Sequence, residues 1–448
     1  LVLWSMEASS HDAGVAYAAA IDLSDRHGPA LFMTMDFGVT WKEIVGGLPA
    51  TVPTRVVRED PQQPNLLYAG TQAGIFVSFD RGANWQPLQL NLPPAAVNDI
   101  TVHDNDLVIA TWGRALWALD DVSPLRQMGA VRAARTPSFL FDPAPAVRVR
   151  WDNNQDTPLP PEVPAGQNPP DGAIIDYYLR EAVTGPVTIS IRDAGGEVAR
   201  EFTSVAPPPD TTMPNVPAYW FKSPETLASS IGMHRLVWDL RYPTPPSLNY
   251  GADGNPSSTT SYGIIATAII GQSPRQQPVG SLVLPGTYQV RLTAGGRPET
   301  RQLRVTNDPR SEITAADLAL ELRYERGLAA GIAASHDAIE QVRMLRQAAQ
   351  RTGSGRGAAV DVAVGAFDRA AVAVIAGLAA NRALAGRLAD LEFADLKPTE
   401  STAAAVGEAC TRADGTLDRY RQFLQKDLAA LNSALAAAGV TPLPAPAA

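Results

Sequence analysis

Short apolar runs separated by turn residues fill the first 125 positions of the chain. Two of these runs, Met33–Trp41 and Val77–Trp85, share an apolar segment, an Asp-x-Gly turn and a Trp in the same order, 44 residues apart. Asp accepts hydrogen bonds within its own turn, Gly supplies a positive φ and Trp fills an apolar gap, so the pattern predicts a β-hairpin. The residues with this structural role are Asp36, Gly38, Trp41, Asp80, Gly82 and Trp85.

The same spacing predicts repeated units of short strands. Two units have four strands each and a third has three, at Trp4–Ala8, Val15–Ile21, Leu31–Met35, Trp41–Val45, Thr54–Arg58, Leu66–Ala69, Ile75–Phe79, Trp85–Leu88, Val97–His103, Leu107–Thr111 and Ala115–Leu119. Self-similar units of this length are typical of propeller blades, of which roughly four to eight close a ring. We therefore interpret residues 1–125 as the last two to three blades of a β-propeller. Its remaining blades would come from an upstream part of the same protein or from a separate chain.

The pattern changes twice further along the chain. Residues 126–145 lack periodicity and are predicted to be a linker. From 146 to 307 short alternating strands and turn signals return, which favours an immunoglobulin-like or fibronectin-like β-sandwich with an insertion at 244–280. From 308 to 439 alanine replaces proline, and apolar residues recur at helical spacing. This last pattern predicts an antiparallel three-helix bundle followed by a tail at 440–448.

Composition and charge limit the possible functions. The 448 residues suit a chain of several domains, and a net charge of −9 disfavours nucleic-acid binding. The single cysteine, Cys410, excludes an internal disulfide. The five histidines are isolated in sequence and give no metal-binding pattern, and we expect no cofactor. No apolar run approaches the roughly 20 residues of a membrane span, so no transmembrane segment is expected.

The repeated turn resembles the Asp-box, or BNR repeat, of sialidase-like and sortilin-like β-propellers. Three further segments, Arg58–Pro61, Trp112–Asp121 and Trp238–Pro243, extend the likeness to the C-terminal half of bacterial BNR-repeat proteins described as glycosyl hydrolases. The resemblance implies a bacterial protein exported to the periplasm, the cell surface or the medium. It leaves three functions open: a scaffold that binds a protein or glycan, a sialidase-like or xyloglucanase-like glycoside hydrolase with catalytic residues mainly upstream, and a sortilin-like peptide-binding module.

Candidate binding residues follow from the blade geometry. The innermost strand of each blade lines the channel of a propeller, so Arg55, Asp99 and Arg114 are expected to converge at one mouth, with Trp112 as a stacking platform for a sugar or peptide. The alternative is that Arg114 forms an ion pair between blades and Trp112 belongs to the core. Asp36 and Asp80 occupy equivalent turns about a blade apart, so we do not expect them to form a catalytic pair.

Overall fold

The computed structural model describes residues 1–21, 28–150, 160, 162–163, 166, 168–207, 225–246, 248, 263–264, 276–277, 279–353 and 355–446. Most of the predicted insertion at 244–280 lies outside the described residues. Within them the chain combines several antiparallel sheets with a C-terminal helical region. The β-rich part thus comes first and the helical part last, as the change in periodicity predicted.

Three antiparallel sheets follow one another from Val2 to Leu119, and in each the strands are ordered as in the chain. The strands are β1 (Val2–Ala8), β2 (Ala16–Ile21), β3 (Leu31–Thr34) and β4 (Lys42–Glu43); β5 (Thr54–Glu59), β6 (Leu67–Thr71), β7 (Gly74–Ser78) and β8 (Gln86–Pro87); and β9 (Val97–His103), β10 (Asp106–Thr111) and β11 (Leu116–Leu119). We call them the first, second and third sheets. The observed strand ends lie within two residues of the predicted ones, because turn residues bound each apolar run.

The three sheets stack through their apolar faces. One core joins the first sheet to the second, with Tyr17 and Leu31 packed against Leu67 and Trp85. Another core joins the second sheet to the third and includes Tyr68, Ile75, Ile100 and Leu107, which are fully buried. Alternate residues of the second sheet therefore point into different cores, which explains why its strands β6 and β7 are buried throughout.

The segment predicted to be a linker, residues 126–145, contains secondary structure. Helices α1 (Ser123–Arg126) and α2 (Met128–Ala134) are followed by strand β12 (Ser138–Leu140), which pairs with a strand of the next region. The buried side chain of Val131 packs with Phe139 and Phe141, which anchors α2. A seven-residue helix is too short for a visible helical period in the sequence, so only its packing reveals it.

In the middle region, between residues 138 and 307, the described residues form two larger sheets and one short pair of strands. Its further strands are β13 (Ala146–Arg148), β14 (Ala173–Leu179), β15 (Thr188–Arg192), β16 (Val198–Thr203), β17 (Gly232–Trp238), β18 (Gly263–Ile264), β19 (Gln276–Gln277), β20 (Gly286–Ala294) and β21 (Arg297–Asn307). The sheet orders are β12-β14-β17, β13-β21-β20-β15-β16 and β18-β19, and all neighbours are antiparallel except β13 and β21. The first two sheets share one core, which includes Trp238 and Tyr177 from one and Ile189 and Val290 from the other.

The helical region, residues 315–437, forms around one apolar core. Its helices are α3 (Ala315–Gly353), α4 (Ala358–Ala379), α5 (Ala383–Leu391), α6 (Glu400–Phe423) and α7 (Ala429–Ala437), with a 3₁₀ turn at Ala380–Arg382 and a π turn at Leu424–Leu428. Thr314 caps the N-terminus of the first helix, since the backbone N–H of Asp317 donates to Thr314 Oγ1 at 3.1 Å. Beyond α7 the chain is held by Asn432, which exchanges two hydrogen bonds with the backbone of Leu443.

The sequence predicts no transmembrane segment, but one helical stretch meets the criteria of length and composition for one. Ala358–Leu391 is long and apolar enough to cross a membrane by length and composition alone. A core helix passes the same test, and here Phe367 and Ile375 are buried in the helical core. Asp368 on the same helix forms an ion pair with Arg346 of α3, with 2.9 Å between Nε and Oδ1. Of the most apolar part of this stretch, 33% is buried within the structure.

Candidate functional site

The first strands of the three N-terminal sheets lie side by side. β1 contacts β5 and β5 contacts β9, and each is an edge strand of its own sheet. We call the surface that they share the β1–β5–β9 face. The predicted binding residues come from this part of the chain: Arg55 lies on β5, Asp99 lies on β9, and Trp112 and Arg114 follow β10.

Arg55 lies between two tryptophans on this face. Its guanidinium carbon is 5.6 Å from the ring centroid of Trp4 and 5.9 Å from that of Trp112, so it makes a cation–π contact with each. Its Nη1 donates to Asn98 Oδ1 at 2.7 Å. The two indoles remain 51% and 70% exposed. Large aromatic side chains that are held in place yet exposed form a suitable surface for a ligand.

Arg58 joins the three first strands to one another. Its Nη2 lies 2.7 Å from Asp99 Oδ1 on β9, and its Nη1 lies 3.4 Å from Glu7 Oε2 on β1. Its Nε also donates to the carbonyl oxygen of Ile100 at 2.9 Å. One guanidinium therefore separates two carboxyl groups on the same face.

On the β1–β5–β9 face, Glu7 has a raised pKa. Partial burial raises its pKa above the ordinary 4.5, the charge of Arg58 opposes that rise, and the carboxylates of Glu59 and Asp99 add to it. Neighbouring negative charges and burial both disfavour the ionised form of an acid. The face thus carries a carboxyl group with enhanced proton affinity beside a second carboxylate.

The four predicted residues do not all meet. Arg55 contacts Trp112, whereas Asp99 pairs with Arg58 and not with Arg55. Arg114 is exposed, and its carbonyl oxygen accepts from Trp117 Nε1 at 2.7 Å. No ion pair of Arg114 is found within the described part of the chain, so Arg58 takes the bridging role that the alternative interpretation gave to Arg114. At 70% exposure Trp112 is not a core residue.

The carboxylates of Asp36 and Asp80 accept hydrogen bonds within their own turns. Asp36 accepts from the backbone N–H of Thr40 at 2.8 Å and from its hydroxyl at 2.6 Å. Asp80 accepts in the same way from Asn84, at 2.8 Å from the backbone and 2.7 Å from the side chain. Hydrogen bonds from Thr40 lower the pKa of Asp36. Burial acts to raise the pKa of Asp80, but the bonds from Asn84 outweigh it and lower the value.

The sequence analysis missed four residues of the β1–β5–β9 face: Trp4, Glu7, Arg58 and Asn98. Trp4 and Glu7 lie on β1, for which the rule that first strands line the channel was not applied. Arg58 was noticed only as part of the Arg58–Pro61 segment. Arg58 lies three residues after Arg55 on an edge strand, where it contacts both neighbouring strands. These contacts join residues that are far apart in the sequence, so they could not be predicted from it.

Among the residues that the structure describes, no group of three or more His, Cys, Asp or Glu side chains is placed to hold a metal ion. Cys410 is half-buried, and burial raises the pKa of its thiol. A thiol with a raised pKa carries little thiolate at neutral pH and is a poor nucleophile.

Among known proteins, the chain is similar only to solved structures in the comparisons made. No protein-family model matches the chain, and no curated protein matches it. Twelve chains of solved structures do match. One of them is the crystal structure of an ancestral GH74 enzyme, at 19% sequence identity and a TM-score of 0.22. The match covers 25% of this chain and 14% of the enzyme, so it assigns neither a family nor an activity.

Proposed function

We propose that this chain is part of an exported β-propeller scaffold that binds a ligand on the β1–β5–β9 face. In this proposal the three N-terminal sheets are consecutive blades, the middle region is an immunoglobulin-like sandwich and the helical region is an antiparallel three-helix bundle. Support for the blades comes from the in-order antiparallel sheets, the stacked apolar faces and the side-by-side placement of β1, β5 and β9. The export of the protein is inferred from its resemblance to BNR-repeat proteins.

The two Asp-box tryptophans support further blades next to the first sheet. Trp85 is 5% exposed, because it packs on the first sheet and its Nε1 donates to the carbonyl oxygen of Ile44 at 2.8 Å. Trp41 occupies the equivalent place one repeat earlier and is 41% exposed, near the 81% exposed side chains of Phe37 and Val39. An additional sheet, from upstream in the same protein or from a separate chain, would cover Trp41 as the first sheet covers Trp85.

The observation that carries the binding function is the position of Arg55 between Trp4 and Trp112. The ring faces that Arg55 does not occupy are available to stack on a sugar ring, and the amide of Asn98 can bind hydroxyl groups. A planar apolar surface with hydrogen-bonding groups at its edge suits a glycan better than an extended peptide. A peptide ligand is the principal alternative.

A glycan array tests this proposal. The full chain, together with the blades that complete it when they are identified, is applied beside Trp112→Ala and Phe393→Ala. Phe393 is 79% exposed in the helical region and serves as the matched aromatic control. We expect Trp112→Ala to weaken binding roughly tenfold or more, since a central aromatic contact is worth at least about 1.4 kcal/mol. Glycan binding that is unaffected by Trp112→Ala, together with binding to a peptide library that this variant loses, would favour the peptide-binding alternative.

A second candidate function is glycoside hydrolysis, and the arrangement of Glu7, Arg58 and Asp99 favours it. Glycosidases need one carboxyl group that stays protonated and another that is ionised, on either side of the bond to be cleaved. Glu7 has the raised pKa of an acid, and Asp99 lies beyond the shared guanidinium of Arg58. A hydrolysis screen with Glu7→Gln and Asp99→Asn tests this function, with the exposed Glu43→Gln as control. Activity that survives both changes would rule this pair out.

A further inference from the structure

A group of buried charges joins the middle region to the helical region. Its members are three arginines from the middle region and four acids from the helical region: Arg148, Arg150, Arg241, Glu321, Glu325, Glu392 and Asp395. We call this group the charge joint. No side chain in it is more than 11% exposed. Charges this deeply buried are stable only when their signs balance and their hydrogen bonds are made.

The acids after α5 take most of the arginine contacts. Asp395 accepts from Arg148 Nη2 at 2.9 Å and also from Arg150 Nε. Glu392 accepts from Arg150 Nη1 at 2.9 Å and from Arg241 Nη1. Burial acts to raise the pKa of each acid, but these arginines outweigh it and keep both pKa values below their ordinary ones. Glu392 and Asp395 are therefore ionised at neutral pH.

The two acids on α3 are less well paired. Arg150 Nη2 is 3.5 Å from Glu325 Oε1 and 3.8 Å from Glu321 Oε1, and Glu321 Oε2 has no hydrogen-bond partner in the described structure. Burial raises the pKa of Glu321 to about 7, against the opposing charge of Arg150. Burial, reinforced by the charge of Glu392, raises the pKa of Glu325 to about 8.

We propose that the charge joint makes the attachment of the helical region to the middle region pH-dependent. Three guanidinium groups face four carboxyl groups, so the joint is neutral when one proton is held by Glu321 or Glu325. Loss of that proton leaves an uncompensated negative charge in a buried site, and the attachment weakens. Glu321 lines a cavity of about 340 Å³ through which it can exchange protons. The other charged groups lining that cavity are Arg387, Asp390 and Lys397.

The direction of the effect follows from proton linkage. Glu321 and Glu325 hold protons in the folded joint up to a higher pH than the ordinary value of 4.5, so folding binds protons between pH 4.5 and about 8. The attachment is therefore stabilised below this window and loses stability as pH rises through it. Glu392 and Asp395 have the opposite shift, and their contribution is lost in acid.

Hydrogen exchange on the full chain tests the proposal. Peptides that cover residues 146–150 and 388–396 report on the joint, and peptides from β6 and β7 serve as an internal reference. After correction for the intrinsic effect of pH on exchange, we expect the opening equilibrium of the joint to rise between about pH 5 and 8, by up to about tenfold per pH unit for each proton released, and to level off above about pH 8. If the opening equilibrium of the joint peptides in the unmodified protein depended on pH as little as that of the reference peptides, the proposal would be overturned.

Substitutions locate the responsible groups. We expect Glu325→Gln and Glu321→Gln each to reduce the pH slope of opening in the joint peptides, and the double variant to abolish it. Glu408→Gln is the control, because Glu408 is 72% exposed on α6 and pairs only with its neighbour Arg412. An unchanged slope in the double variant would also contradict the proposal. If that variant does not fold, the profile of the unmodified chain still decides the question.

Discussion

Arg126 donates through Nε to both carboxylate oxygens of Asp60, each at 3.0 Å, although the two residues are 66 positions apart. Asp60 follows β5 and is fully buried, and Arg126 ends the helix that leaves the third sheet. The same carboxylate accepts from the hydroxyl of Tyr68 and from two backbone N–H groups of its own loop. The contact therefore attaches the helix that follows the third sheet to the second sheet.

Removing this arginine should destabilise the N-terminal sheets strongly. We expect Arg126→Ala to lower the free energy of unfolding by about 3–5 kcal/mol, because it leaves the buried carboxylate of Asp60 without its counter-charge. Denaturant unfolding measures the change. Arg421→Ala is the control, since Arg421 is 65% exposed and should cost at most about 1 kcal/mol. Equal effects of the two variants would contradict this account of the contact.

The two repeat tryptophans should differ in their contribution to stability in this chain alone. Trp85→Ala removes a buried ring and its hydrogen bond to Ile44, so we expect a loss of about 3–5 kcal/mol. Trp41→Ala removes a ring that is 41% exposed, and the loss should be well under half as large. Thermal unfolding of both variants checks this. When a further sheet is added and covers Trp41, the difference should shrink.

The loop that receives Trp85 requires glycine. A Cβ atom on Gly46 would lie 2.4 Å from the carbonyl oxygen of Ala83, a backbone atom that cannot move aside easily. We expect Gly46→Ala to destabilise the contact between the first and second sheets by at least about 1–3 kcal/mol. Gly129→Ala is the matched control on α2, where the Cβ meets nothing within 4 Å. The control should be neutral or slightly stabilising in thermal unfolding.

The stability that the turns at Asp36 and Asp80 contribute should depend on pH. Hydrogen bonds lower the pKa of Asp36 and Asp80 in the folded state, so their contribution to stability is present above pH 3.8 and is lost as pH falls through the folded values. NMR titration of the side-chain carboxyl carbons measures the shifts. We expect Thr40→Val to move the pKa of Asp36 back towards 3.8 and to leave Asp80 unchanged. An unchanged pKa of Asp36 in Thr40→Val would contradict the assignment of its lowered pKa to the hydrogen bonds from Thr40.

Much of the strand pattern could be predicted from the sequence, because turn residues mark both ends of each short run. The bounds of β9 are predicted without error, and those of the other N-terminal strands to within two residues. The helix α2 within residues 126–145 could not be predicted, because it is short and its buried residue Val131 packs on residues that come later in the chain. The pattern of apolar residues along a short segment does not indicate packing against distant parts of the chain.

The candidate site could be predicted only in part. Arg55 and Trp112 were expected to converge and do so, but Trp4 and Asn98 complete the arrangement from other strands. The charge joint was not foreseen. Arg150 and Glu392 are 242 positions apart, and nothing near either residue in the sequence signals a buried partner. Pairings at that distance depend on how the middle and helical regions dock.

The most direct measurement of the central claim is ¹⁹F NMR of the 5-fluorotryptophan-labelled chain, titrated with the oligosaccharide that the glycan array selects. Single Trp→Phe variants assign the signals. We expect the signals of Trp4 and Trp112 to shift on binding, while those of the buried Trp85 and Trp238 stay fixed. A ligand that binds and leaves Trp4 and Trp112 unmoved would contradict a binding site on the β1–β5–β9 face.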